Sequence, residues 1–428
     1  MNNAALQLSI ASQTVYGNQS ISYIKFDGNL TSRRAIHVKW RNHVEIHHCS
    51  FVDFYRGCIH LDGQTSWRTP PSVWSDGNKV YNNTITNSST YTEGLENMGS
   101  IKVTGQINCE VYNNTVSQLT RGVGICGTDL MSIHWIKNTL IHHNNFHSLA
   151  SATGSPWNFS IESWDCWGGV EIYSNNFFGS GTISIGGIET KKTEYTFAVK
   201  IYDNEFILPS QQQYEPREIL AICLEAWRSL SDIYVYNNHI KNFGSGIQIT
   251  LGNDASAYQH IGTIDNVYIY NNIIENVGYA NDYYGYGIAT KWQSAKINVR
   301  YNNLNIWNNT ITGNTPYSKH GISFDIDCPN SNISVRNNII QGFKLYPIRF
   351  YSHNGSVDKL VITNNIYSKN GTDAVNLGGV TPSVYTSSPN YTSDPLLTSD
   401  FHLKTTSPAI GKGVSVGLKT DKDGAAWK

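Results

Sequence analysis

Hydrophobic and polar positions alternate in short bursts along most of this chain, and the bursts recur. Val80-Tyr81-Asn82-Asn83-Thr84-Ile85 is typical: apolar, aromatic, a pair of asparagines, then β-branched residues. Period-2 alternation of this composition predicts strand, not helix. A second short strand follows, commonly after a glycine, as in Gly246-Ile247-Gln248-Ile249-Thr250 and Gly321-Ile322-Ser323-Phe324. Tandem Asn pairs start at Asn82, Asn113, Asn144, Asn175, Asn237, Asn271, Asn308, Asn337 and Asn364, with a degenerate copy at Asp203-Asn204. The pair Asn302-Asn303 lies off this register and reads as loop. Recurrence at roughly 20–50 residues predicts a stacked repeat. Each repeat is a coil of short strands, and successive coils pair in parallel about 4.8 Å apart. Asn at one place in every coil can pass amide hydrogen bonds up the stack and satisfy buried polar groups at the turn.

On these repeats the chain resembles right-handed parallel β-helix proteins of the pectin-lyase-like superfamily, from about Tyr23 to about Gly379. The resemblance implies an all-β fold, a single-stranded right-handed parallel β-helix of about eleven coils. The β-helix is expected over 1–380, with a polar tail over 381–428 packing on it. An early coil carries the repeat as Val44-Glu45-Ile46-His47-His48-Cys49-Ser50-Phe51, read with Cys49-Ser50 in place of the Asn pair. Insertions are expected near 63–78, 127–139, 189–197, 208–219, 252–265 and 276–286, where they would build a binding face.

Composition narrows the function classes. At 428 residues a length prior suggests more than one domain, and the unbroken repeat overrides it. The formal net charge of -1, with 15% charged residues, gives no nucleic-acid groove and no polybasic membrane patch. No apolar run approaches the roughly 18 residues of a membrane span. The start MNNAALQLSI has neither the basic region nor the apolar core of a signal peptide and reads as a fragment boundary. The seven cysteines are odd in number and lack metal-ligand spacing; most sit at strand positions, as small buried hydrophobes do. The 26 Tyr and 11 Trp exceed what a solenoid core needs and suit sugar rings, whose apolar faces pack on aromatics. The stretch from Asp400 to Gly411 resembles the terminal segment of secreted bacterial β-helix carbohydrate enzymes, which implies an extracellular or periplasmic location.

Candidate chemistry comes from aligning the strand after each Asn pair. The first inward aliphatic of each is taken as Ile59, Ile101, Val123, Phe159, Ile183, Ile222, Ile247, Ile288, Ile322, Ile348 and Val375. Residues one and three further on then point outward. The first outward column is small in the middle coils, and the second carries Glu162, Glu225, Lys291 and Asp325. Trp164, Trp227 and Trp292 follow as aromatic walls. Arg349 and Tyr351 close one end, and His60, Asp62 and Lys102 lie toward the other. Glu162 and Glu225 would stand two coils apart, about 9–10 Å, near the long limit of the roughly 6.5–9.5 Å of inverting glycosidases. Glu189 would offer a closer carboxylate to either. Lys291 and Asp325, one coil apart, would form an ion pair. The alternative for each is a solvated surface charge of little energetic weight.

These residues point first to a glycoside hydrolase acting on a polysaccharide or oligosaccharide. Its catalytic candidates are Glu162, Glu189, Glu225, Asp325 and Lys291; Trp164, Trp227, Trp292, Arg349 and Tyr351 would bind substrate. A polysaccharide lyase or uronate epimerase using Lys291, Arg349 and Tyr351 is the second reading. The chain lacks the Asp-Pro-His-Asp phrase of alginate epimerases and the Asn-Thr-Asp and Gly-His-Gly phrases of polygalacturonases, so the resemblance stays at the superfamily. A non-catalytic glycan-binding or tailspike-like solenoid is the third. No cofactor is implied, although Asp325 and Asp327 are the residue type that holds Ca²⁺. Monomer and homo-oligomer stay open.

Overall fold

In a computed structural model of the chain, the structure describes residues 4–9, 17–63, 70–88, 99–118, 129–148, 159–179, 181–187, 194–209, 219–226, 230–251, 263–279, 285–292, 300–314, 316–324, 330–351 and 357–426. All regular elements among them are strands, and the chain is an all-β right-handed parallel β-helix. It divides into two units, 1–209 and 210–428.

Three parallel sheets run through each unit, because each coil holds three strands where the pattern predicts two. The Asn pair is not inside a strand; it is the corner between the second and third sheets. In the first unit Lys79–Tyr81 ends before Asn82 and Thr84–Thr86 begins after Asn83. The first Asn of the pair takes the left-handed conformation, with φ of 54° at Asn82, 55° at Asn113 and 58° at Asn337. Asn tolerates that region better than other residues with a Cβ. The second Asn is buried and builds the ladder. Asn114 Nδ2 donates to Asn144 Oδ1 at 3.0 Å and to Val80 O at 2.9 Å. The same motif links Asn144 to Asn175 and Asn175 to Asn204 in the first unit. In the second it links Asn238, Asn272, Asn309, Asn338, Asn365 and Asn390. Asn204, in the degenerate copy, is a full member.

The structure corrects the sequence reading of the repeat in four places. His47 pairs with Tyr81 and Ser50 with Thr84, so His48-Cys49, not Cys49-Ser50, replaces the Asn pair. His143 and Ser174 take the left-handed corner in their coils, and Asn144 and Asn175 are ladder members. Asn302 and Asn303 are not loop; they lie inside the strand Arg300–Trp307, where the register shifts and Asn303 has φ of 81°.

The core is built from rows of one residue per coil. Ile36, Ile59, Ile101, Met131, Ile161 and Ile183 stack along the first sheet of the first unit and are fully buried. Ile222, Ile247, Ile288, Ile322 and Ile348 do so in the second. Each such side chain contributes roughly 1.5–3 kcal/mol on burial. Phe146, Phe177 and Phe206 stack with centroids 5.2 and 4.6 Å apart.

Much of the tyrosine excess has a structural use. Outside the second sheet, Tyr81, Tyr112, His142, Tyr173 and Tyr202 form a continuous stack with centroids 4.8 to 5.2 Å apart. Stacked along the axis, these rings offer edges rather than faces and are poorly shaped to receive a sugar. Cys49, Cys58, Cys109, Cys166 and Cys223 are buried free thiols, and burial pushes Cys109 and Cys166 up to about 12.

In the second unit the segment after 380 returns along the Asn corner. Asn364 Nδ2 donates to Lys412 O at 2.8 Å and Asn271 Nδ2 to Thr420 O at 3.1 Å. Asn337 donates to Val414 O and accepts from Val414 N, at 2.8 and 3.0 Å.

Candidate functional site on the first sheet

The outward face of the first sheet carries the ionisable residues, and its register decides which of them are neighbours. In the first unit the strand Phe159–Gly168 sits two residues from the expected alignment. Ile161 pairs with Met131 and Ile183, while Phe159 pairs with Thr182 across a bulge. Ile161 is therefore the inward residue of the row, not Phe159, and Met131 fills the place given to Val123. Val123 lies outside the described residues. The stretch expected as an insertion at 127–139 holds the strand Asp129–Lys137.

With that correction Glu162 joins the first outward column, in order His37, His60, Lys102, Ser132, Glu162 and Ser184. Trp164 moves into the second column, across from His134. Glu162 lies one residue past Ile161 and Glu225 three past Ile222, so Glu162-Ser163-Trp164 and Glu225-Ala226-Trp227, alike in sequence, do not occupy equivalent positions. The hydrophobic pattern could not reveal this, because a slip of two residues preserves a period of two.

In the second unit the expected register holds. Cys223, Gln248, Ala289, Ser323 and Arg349 form the first column, and Glu225, Thr250 and Lys291 the second. Glu225 and Lys291 are two rungs apart, about 10 Å. Glu189, Asp325 and Trp227 lie outside the described residues, as do Asp327 and the ion pair expected of Lys291 with Asp325. Trp292 is described by its backbone, at the end of Tyr286–Trp292.

Burial overturns the alternative of solvated charge. Glu162 is 9%, Glu225 7% and Lys291 4% exposed. Ionised groups withdrawn this far from water are costly unless partnered, and each of the three has partners. The Cys223 thiol donates to Glu225 Oε1 at 3.6 Å. Burial first, and then the Glu225 charge, push that thiol well above its ordinary range, which keeps it a donor.

Sequence reasoning places His60, Asp62 and Lys102 at one end of this face but misses their neighbour His37, and it misses a second pair altogether. In the first unit His37 Nε2 contacts Asp62 Oδ2 at 2.5 Å, and Thr104 Oγ1 donates to Asp62 Oδ1 at 3.0 Å. Burial alone would raise Asp62; the His37 hydrogen bond and then the Lys102 charge outweigh it and hold the carboxyl well below the carboxylate range. Burial, reinforced by Arg34, holds His60 neutral. His134 and Asp165 form a second buried pair at 3.0 Å.

In the second unit Arg349 and Tyr351 are brought together as expected, with the guanidinium carbon 3.7 Å from the ring centroid. Tyr286 and His320 join them, unforeseen. The hydroxyls of Tyr286 and Tyr351 are 3.0 Å apart, and Arg349 Nη1 lies 3.5 Å from His320 Nε2. Burial and then the Arg349 charge lower His320 to about 4. A signal did exist: Tyr286-Gly287-Ile288, His320-Gly321-Ile322 and Tyr346-Pro347-Ile348 place an aromatic ring at one register position in three successive coils. Their rings follow one another at 5.5 and 5.7 Å. Among the described residues no group of three or more His, Cys, Asp or Glu is placed to hold a metal ion.

No family model and no curated protein matches this chain. Among solved structures it is similar to a tailspike protein double mutant of the E. coli bacteriophage HK620 in complex with a pentasaccharide: 12% identity, 81% of this chain and 58% of that one covered, TM-score 0.49. It is also similar to XylC in complex with xylose, at 12% identity over 81% of this chain and 56% of that one, TM-score 0.35. The Agl-KA catalytic domain gives 12% identity, 87% and 61% coverage, and TM-score 0.28. This chain thus spans less than two thirds of the length of each. At scores below 0.5 these likenesses add nothing to what the sheets themselves show.

Proposed function

We propose that this chain is a carbohydrate-active enzyme working outside the cytoplasm, a glycoside hydrolase whose substrate lies along the outward face of the first sheet. One observation carries the reading. Glu225, on an outward column, is only 7% exposed, in a column shared with the withdrawn Lys291 and beside a column that holds the small residues Cys223, Ala289 and Ser323. Hydrolysis of a glycosidic bond needs a carboxylic acid to protonate the leaving oxygen and a second carboxylate to hold the attacking water or form the glycosyl intermediate. Glu225 is assigned the acid. Asp325 is the candidate for its partner, and Trp227 and Trp292 supply aromatic faces for sugars.

A panel of neutral and acidic polysaccharides tests this, with new reducing ends and ultraviolet absorbance recorded together. Reducing ends without absorbance, lost in a folded Glu225→Gln protein, are expected. A fully active Glu225→Gln protein removes Glu225 from the site.

The contact between the Tyr351 and Tyr286 hydroxyls favours one second reading. In a lyase or epimerase, a phenolate of that pair takes the proton next to a uronate carboxylate, with Arg349 or Lys291 neutralising the charge that develops. Lyase products absorb in the ultraviolet, so the same assay separates the two. Silence in both channels, with glycan binding retained, would make the chain a binding solenoid.

A further inference from the structure

Arg349 is a half-buried cation that its own chain leaves without a counter-ion among the described residues. Its guanidinium lies flat on Tyr351, and its Nε–H is buried without an acceptor. Among the described residues no carboxylate pairs with it. Its one polar side-chain contact there is His320 Nε2, at 3.5 Å. That contact is itself contested, because Tyr346 N donates toward the other ring nitrogen, Nδ1, at 3.4 Å. A neutral imidazole has a single lone pair to offer, so it accepts from one of the two donors and not both. The charges that act on His320 are those of Arg349 and Lys319, both positive. Five N–H donors, one weak shared acceptor and a positive local field describe a group awaiting an anion. A guanidinium fork matches a carboxylate with two parallel hydrogen bonds, and the ring of Tyr351 fixes the plane of that fork.

We infer that Arg349, held flat by Tyr351 and flanked by His320, is a subsite for a carboxylate-bearing sugar, so that the glycan is acidic at this position. The assignment rests on the carbohydrate reading above and is indifferent to whether the bond is broken by hydrolysis or elimination. It also changes the charge of the face. Among the described residues of the second unit's two outward columns, Lys291 and Arg349 stand against Glu225 alone.

Calorimetric binding of uronate-containing trisaccharides on several neutral backbones, each beside its methyl ester, isolates the charge. An acid is expected to bind roughly tenfold or more tightly than its ester. Arg349→Gln should erase that difference while leaving ester binding in place, and Arg349→Lys should keep part of it. Circular dichroism confirms that each variant folds. Equal binding of acid and ester, survival of the preference in Arg349→Gln, or binding of neither probe overturns the assignment. So does displacement of the acid by inorganic sulfate at matching concentration, which would make this a general anion site with no sugar recognition. Turnover is scored separately: a preference for acids without turnover sinks the enzyme reading alone, and turnover of glycans without that preference sinks the subsite alone.

Discussion

At the scale of single residues, the buried titratable groups set how the fold responds to acid. His320 titrates near 4 in the folded chain and near 6.5 when unfolded. The folded state then binds fewer protons than the unfolded one between these values. The stability His320 confers is complete above about pH 6.5 and is lost as the pH falls toward 4, by roughly 3 kcal/mol in all. His60, also held neutral by burial, acts in the same direction. Urea titrations at pH 7 and pH 4.5 should show this loss, and His320→Gln should reduce it; an unchanged pH slope would show that the ring is not held neutral. Asp62 acts in a lower window. Its depressed carboxyl stabilises the fold above about pH 4 and loses that effect below it. Asp62→Asn is therefore expected to cost stability at pH 7 and progressively less in acid. The pairing of His37 with Asp62 was not legible in the sequence, since His37 sits one coil before His60 and Asp62 and meets Asp62 only when the two coils are stacked in register.

At the scale of the coil, the Asn pair divides into two jobs that respond to different substitutions. The ladder Asn is buried and bonded in both directions along the stack. Asn309 accepts from Asn272 N and donates to Ile269 O, Trp307 O and Asn338 Oδ1. Asn309→Ala should cost about 2–4 kcal/mol, since it strands buried donors and acceptors on two neighbouring coils; a shift in urea midpoint measures it. The corner Asn matters for its backbone instead. At Asn113, with φ of 55°, replacement by Val should destabilise by about 1–2 kcal/mol while Gly is nearly neutral. The repeat was legible because the ladder demands one residue type at one place. Its division into two strands and a corner was not, because an extended Asn and a left-handed Asn look the same in a sequence. Where His143 or Ser174 takes the corner, the visible pair starts one residue late.

Across the second unit, the segment after 380 engages corner asparagines of three separate coils through Lys412, Val414 and Thr420. A chain ending at 410 should lose those bonds together. Faster amide exchange at the corners of Asn271, Asn337 and Asn364, with a lower melting temperature, is the expected outcome; unchanged exchange there would show that the segment contributes nothing to the corners. By itself, the sequence determined the all-β coil, the inward rows and the ladder of asparagines, because each follows from a local period repeated many times. Tertiary structure decided the rest. It set the slip that moves Glu162 to another column, the withdrawal of Glu225 and Lys291 from water, and the meeting of Tyr286 and His320 with Arg349 and Tyr351. The physical reason is common to all three. A period of two is blind to a slip of two, and neither burial nor contact between coils exists until the coils are stacked.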